Sequence, residues 1–185
     1  MNIIIGVTGA TGTIYAVKLL EVLKEIEDIN TYLILSNWAI RNLEIETKYN
    51  IDYLKGLADY VYDNENLGAK TSSGSFVTDG MIILPCSMKT LSSIANGYDD
   101  SLISRTAGVM IKEGRKLVLS TRETPLSPIH LENMLKLSRI GVRIVPPMPA
   151  FYNNPKTLDD IINHHIMKLL DQFNIRYNKV KRWNG

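Results

Sequence analysis

Hydroxyls, cations, a carboxylate and a phenol gather with glycine and proline in four short stretches: Thr8–Gly12 (TGATG), Pro85–Thr90 (PCSMKT), Thr121–Pro125 (TRETP) and Pro146–Tyr152 (PPMPAFY). TGATG follows an apolar run and precedes a helical pattern. A helix N-terminus presents unpaired N–H groups and a positive dipole end, which together suit an anion. Gly9 and Gly12 would let a ligand approach the backbone, and Thr11 adds a hydroxyl. The spacing is G-x-x-G, short of the full dinucleotide fingerprint, so a plain strand-to-helix turn is the competing reading. PCSMKT repeats the arrangement, with Ser87, Lys89 and Thr90 around a second helix start. Its bland alternative is an N-cap serine beside an exposed lysine. Two such junctions on one sheet edge suit a mononucleotide, with its phosphate at one and its rings near the other. TRETP sets Arg122 and Glu123 side by side just after a strand, in a loop that Pro125 stiffens. PPMPAFY carries three of the seven prolines and ends in a phenol. It reads as one wall of a pocket or as a static crossover.

These stretches need elements to position them. Short apolar runs predict buried strands at Asn2–Thr8, Thr31–Ser36, Gly80–Pro85, Lys116–Thr121 and in VRIVPP. Period-3.6 patterns predict helices over Thr13–Glu27, Ala39–Lys48, Ser101–Glu113, Ser127–Ile140 and Leu158–Phe173, with another running from PCSMKT to a stop at Gly97. Asn50–Thr78 reads as a helical piece near Tyr53–Ala58 followed by a polar loop. Strands alternating with helices predict an α/β fold with an open, mostly parallel sheet. Ligands of such sheets bind beyond the carboxyl ends of the strands. All four chemical stretches, and the SNW that follows the second strand, fall there.

Composition narrows the classes. The chain has 185 residues, 45% of them hydrophobic, enough for one domain with a substantial core. Lys and Arg total 21 against 19 Asp and Glu, a net +2. That balance speaks against broad binding of nucleic acid. A single cysteine, Cys86, permits no intrachain disulfide and points to the cytoplasm. With no histidine near it in sequence, Cys86 reads as a small buried or half-buried thiol rather than a nucleophile. The apolar start is too short for a signal peptide, and no run reaches membrane-helix length. His130, His164 and His165 have no ligand spacing around them, so no metal is expected and they read as structural or surface residues. The basic end, NKVKRWNG, reads as a solvated or interface tail.

Taken in order, GVTGATG, GMIILPCSMKTLSSIANG, RETPLSPIHLENML and PPMPAFY resemble the UbiX-type flavin prenyltransferases of the HFCD flavoprotein superfamily, over nearly the whole chain. The resemblance implies a flavodoxin-like, three-layer fold. It implies binding of FMN and transfer of a dimethylallyl group to it from dimethylallyl monophosphate, at flavin N5 and C6. The prenylated FMN would pass to a UbiD-type decarboxylase. Members commonly form dodecamers with sites between subunits. Residue by residue, the resemblance assigns Gly9, Ala10, Thr11, Ser36, Ser87, Met88, Lys89, Thr90 and Arg122 to FMN. It assigns Lys112, Glu123, Tyr152 and Lys168 to the prenyl-phosphate site, and sets Glu46 near the flavin. Two departures stand out: Thr11 where serine is usual, and Lys168 where arginine is more familiar, which keeps a cation but loses bidentate geometry.

The implied chemistry is consistent with the residue types. Fixed lysines can balance a departing phosphate, Tyr152 can donate to it, and Glu123 can relay a proton. A dry lining is also needed, for which Trp38, Phe76 and Phe151 are candidates. No aspartate-rich metal cluster is present, as a monophosphate donor handled by lysines would allow. The alternatives are an FMN-dependent decarboxylase of the same superfamily and a non-catalytic FMN-binding electron carrier; the latter class tends to be acidic.

Overall fold

The continuous apolar run after Met1 makes β1 (Asn2–Val7), whose residues from Ile3 onward are buried. The computed structural model describes residues 1–184. The other strands are β2 (Asn30–Leu35), β3 (Tyr60–Asp63), β4 (Gly80–Cys86), β5 (Lys116–Thr121) and β6 (Arg143–Ile144). They form one sheet in the order β3-β2-β1-β4-β5-β6, and every pairing is parallel. The helices are α1 (Thr13–Lys24), α2 (Asn37–Glu46), α3 (Ile51–Gly56), α4 (Met88–Asn96), α5 (Leu102–Lys112), α6 (Pro128–Arg139) and α7 (Leu158–Asp171).

Strand residues alternate between two cores. Ile3, Ile5, Val7, Ile82 and Leu84 meet α1, α2, α3 and α7 on one face. Ile4, Met81 and Ile83 meet α4, α5 and α6 on the other. This is the three-layer arrangement that the resemblance implied. Local signals set several helix ends as expected: Gly97 closes α4 in the left-handed conformation, and Ser127 caps α6 with Pro128 in its first turn.

One element departs from the sequence expectation, and two others match it more narrowly. The sheet is wholly parallel. A sixth strand, β3, lies inside the stretch expected to be helix and loop, and it forms the sheet edge beyond β2. The strand in VRIVPP is only two residues long. Chain order reverses around β1: β2 and β3 lie to one side, β4 to β6 to the other. The crevice between the exits of β1 and β4 is therefore the topological switch point, where an open α/β sheet takes its ligand.

Candidate active site

A cavity of about 320 Å³ opens at that switch point, lined by Thr8, Gly9, Ser36, Asn37, Trp38, Asn64, Glu65, Ser87, Lys89, Thr90, Ser101 and Ile103. Three of these are helix N-caps. Ser36 accepts from the Ala39 N–H at the start of α2, Ser87 from Thr90 N–H at the start of α4, and Ser101 from Ser104 N–H at the start of α5. Each serine satisfies a donor deep in the first turn, so the earliest N–H groups, including those of Met88 and Lys89, keep no acceptor within the helix. The positive ends of α2 and α4 thus converge on one cavity, which makes it an anion seat, whereas at α5 the Leu102 and Ile103 N–H groups already donate to the Asn64 carbonyl (2.7 Å) and to Asn64 Oδ1 (3.1 Å). Lys89 adds a cation held 3.0 Å from the Asp100 carboxylate. The Met88 side chain packs into the core, so its backbone is what it presents. Thr8 locks the two strand exits together: its hydroxyl donates to the Pro85 carbonyl (2.8 Å) and accepts from Ser87 N–H (2.8 Å).

The first anion junction expected from sequence is built differently. The N-terminus of α1 is already occupied, because the Glu46 carboxylate accepts from the N–H groups of Gly12 (2.8 Å) and Thr13 (3.2 Å). A second anion there would meet that carboxylate, so the end of α2 takes the role expected of α1. Asn42 pins the same turn by donating to the Ala10 carbonyl (3.1 Å). Gly12 has φ 102°, a left-handed conformation suited to glycine. At Gly9, a Cβ would collide with the Trp38 side chain. Thr11 is exposed on this turn.

Arg122 and Glu123 line a second cavity of about 430 Å³ together with Thr121, Thr124, Leu126, Pro146, Pro147 and Met148. Its two walls are the exit of β5 and the proline-rich stretch. The Arg122 backbone N–H donates to the Cys86 carbonyl (3.1 Å), joining this exit to that of β4. Beyond the prolines, Tyr152 Oη lies 2.8 Å from His164 Nε2, and its ring meets Trp183 edge-on at 5.8 Å. Lys168 stands one turn past His164 on α7, exposed, with Nζ 3.9 Å from the Asp171 carboxylate. Asp171 is bound more closely by Arg182, in a two-pronged pair at 2.9 and 2.7 Å. Tyr152 and Trp183 thus make a phenol–indole contact, with Lys168 one turn along α7 from the histidine that Tyr152 bonds. Sequence reasoning left Trp183 in the tail, because the turn back onto Tyr152 spans 31 residues and has no local signature.

Lys112 does not join Glu123, Tyr152 or Lys168 within one chain. It ends α5, about 16 Å of helix away from the Ser101 cap. There it pairs with Glu113 and lines a separate cavity with Ser72, Ser73, Gly74, Ser75 and Arg105. It lies at the amino-terminal edge of the sheet, whereas Arg122 and Glu123 follow the carboxyl end of β5. Asn64 and Glu65, which line the first cavity, were missed because they follow the unforeseen β3. Cys86 is fully buried, and burial pushes its thiol up to about 12, so it remains protonated. His164 and His165 are buried, and His130 joins the cap of α6. Among the described residues, no three His, Cys, Asp or Glu side chains converge as a metal site, and no helix is long and apolar enough to cross a membrane.

Comparison with known proteins agrees with this geometry. Residues 1–169 match the Flavoprotein family. The flavin prenyltransferase LpdB of Lactiplantibacillus plantarum is 54% identical over 184 residues, covering all of this chain and 98% of that protein. A dodecameric FMN-dependent UbiX-like decarboxylase from Escherichia coli O157:H7 superposes with TM-score 0.99 at 53% identity, with both chains fully covered. AnUbiX (PadA1), solved in complex with FMN and dimethylallyl pyrophosphate, superposes with TM-score 0.97 at 47% identity, covering all of this chain and 97% of that one. The chain belongs to the flavoprotein family and, within it, to the UbiX-type flavin prenyltransferases.

Proposed function

We propose that this protein is a flavin prenyltransferase that moves a dimethylallyl group from dimethylallyl monophosphate onto FMN. The observation that carries the reading is the presence, in a chain of this family, of an anion seat at the switch point and, separately, of the Tyr152–Trp183 pair with Lys168 one turn from its His164 partner. One phosphate suits each.

The flavin fits the residues present. Ser36, Ser87, Lys89, Thr90 and the first N–H groups of α4 would hold the FMN phosphate, with Gly9, Ala10 and Thr11 along one side and Arg122 at the next strand exit. Reduced FMN supplies the nucleophilic N5 and C6 atoms. The chain's own part is to take up charge at the donor. Lys168 neutralises the departing phosphate and Tyr152 donates a hydrogen bond to it, in a setting where fixed donors act without reorganising. The rings of Tyr152 and Trp183 present π-faces suited to a carbon centre that becomes cationic. Glu123 accepts the proton lost from the flavin ring or passes it to the phosphate. Lys112 contributes from a neighbouring subunit, because its own chain holds it at the far edge of the sheet. Glu46 orients the Thr11 turn by holding the N-terminus of α1.

The active assembly is a homododecamer in the cytoplasm, and its product serves a UbiD-type decarboxylase. Incubating the protein with reduced FMN and dimethylallyl monophosphate, then measuring the flavin mass, tests this reading. The flavin is expected to gain one dimethylallyl group. Unchanged flavin with decarboxylation of an added C-terminal-cysteine peptide would support the FMN-dependent decarboxylase instead. Unchanged flavin that only cycles electrons would support the carrier.

A further inference from the structure

The adjacent histidines of α7 have separate partners. His165 Nε2 lies 2.8 Å from Ser120 Oγ, and Tyr15 packs edge-on against its ring at 5.1 Å. That pair is internal and ties α7 to the sheet and to α1. His164 points elsewhere: its Nε2 is 2.8 Å from the Tyr152 hydroxyl, and the two rings are edge-on at 5.6 Å. The imidazole is 7% exposed, while Tyr152 is 45% exposed. The phenol therefore has a buried partner on one side and an exposed side on the other, and Lys168 stands exposed one turn past that partner on α7.

The direction of this hydrogen bond decides what Tyr152 can do. A phenol has one proton. If it goes to His164, none remains for a phosphate. If Nε2 carries the hydrogen and donates to Oη, the phenol proton is left for a ligand on the open side. The charged and titratable groups around His164 are Lys168, Asp171 and His165 on its own helix, Tyr152 from the loop, and Arg182 from the tail through Asp171. Burial, then the Lys168 charge, holds the imidazole below its ordinary range, with Asp171 opposing. The ring is thus neutral near pH 7, and one of its nitrogens carries the hydrogen.

We propose that His164 is a positioning residue for prenyl transfer: its Nε2–H donates to Tyr152 Oη, fixes the phenol and turns its proton toward the phosphate of the prenyl donor. This rests on the donor-site reading of Tyr152 given above.

The test is a double-mutant cycle in the intact oligomer, read by single-turnover prenylation and by FMN titration. His164→Leu should slow the prenyl step about three- to tenfold while leaving FMN affinity unchanged. His164→Gln, which keeps a donor near Nε2, should return the rate to within about twofold of wild type. In the Tyr152→Phe background, His164→Leu should cost almost nothing further. If His164→Leu does not assemble, His164→Asn replaces it, since its amide stops short of the phenol. Equal slowing by the His164 change with and without the Tyr152 hydroxyl would overturn the proposal, as would a wild-type rate for His164→Leu or His164→Asn beside a slow Tyr152→Phe. A wild-type rate for Tyr152→Phe itself would instead overturn the donor-site reading on which the proposal rests.

Discussion

Arg122 and Lys168 are both cations near the ligand edge, and they should fail in different ways. Arg122 lies at the β5 exit, next to the strand that feeds the anion seat, so Arg122→Ala should weaken FMN retention in a fluorescence titration. Lys168 is held only loosely by Asp171, which Arg182 already occupies, so its charge is available to a ligand. Lys168→Ala should keep FMN affinity and lower kcat/KM for the donor by about 10- to 100-fold, the range expected for one charge-assisted hydrogen bond. Lys168→Arg should retain most activity. Loss of FMN by Lys168→Ala with normal donor kinetics would contradict this division. His165 makes a separate prediction about stability. Burial, and secondarily the neighbouring His164, depress its folded value from 6.5 to about 4. Above pH 6.5 both states are neutral there, and the residue adds no pH dependence. Between pH 6.5 and 4 the unfolded chain takes up a proton that the folded one refuses, so stability falls as pH falls, by at most on the order of 3 kcal/mol. Thermal unfolding across that window should show a smaller decline for His165→Gln than for wild type.

Among the elements, α4 does two tasks with one residue. Ser87 caps the helix and lines the anion seat. Ser87→Ala should cost about 1 kcal/mol in thermal or urea unfolding, and should weaken FMN binding in the same preparation. Loss of stability with unchanged FMN affinity would remove α4 from the seat. Most elements were legible because their signals are local: the apolar run of β1, the glycine stop of α4, the Ser-Pro start of α6. What escaped depended on distant contacts. β3 is four residues long and mostly exposed, so it carries little hydrophobic signal. The stacking of Tyr32 on Tyr60, with Lys70 Nζ over both rings, helps hold it to β2. The filling of the α1 N-terminus also escaped, because Glu46 reaches it from 34 residues away. TGATG does lie at the exit of β1, where Thr8 and Gly9 line the cavity, but its helix dipole is taken by the protein itself.

In the whole molecule, one chain keeps Lys112 apart from the other proposed donor-site residues and leaves apolar surface unpartnered. On α6, Ile129, Leu131 and Leu135 are each at least half exposed, and only Leu137 of that helix is buried. Trp38 and Ile45 are exposed on α2. Such faces mark subunit contacts, and Leu131→Glu with Leu135→Glu should reduce the assembly seen by light scattering while a folded subunit remains. Under the proposed roles, the placement of Lys112 makes assembly a condition of catalysis, since Glu123, Tyr152 and Lys168 would come from another chain. The central claim is therefore prenyl transfer at a site shared between subunits, and complementation tests it most directly. Lys112→Ala and Glu123→Gln chains, each carrying a different tag, are co-expressed, and oligomers bearing both tags are given reduced FMN and dimethylallyl monophosphate. Each parent alone should make little prenylated flavin and the mixed oligomers should regain turnover, because some of their sites combine an intact Lys112 with an intact Glu123. Mixed oligomers no more active than the two parents would contradict a shared site.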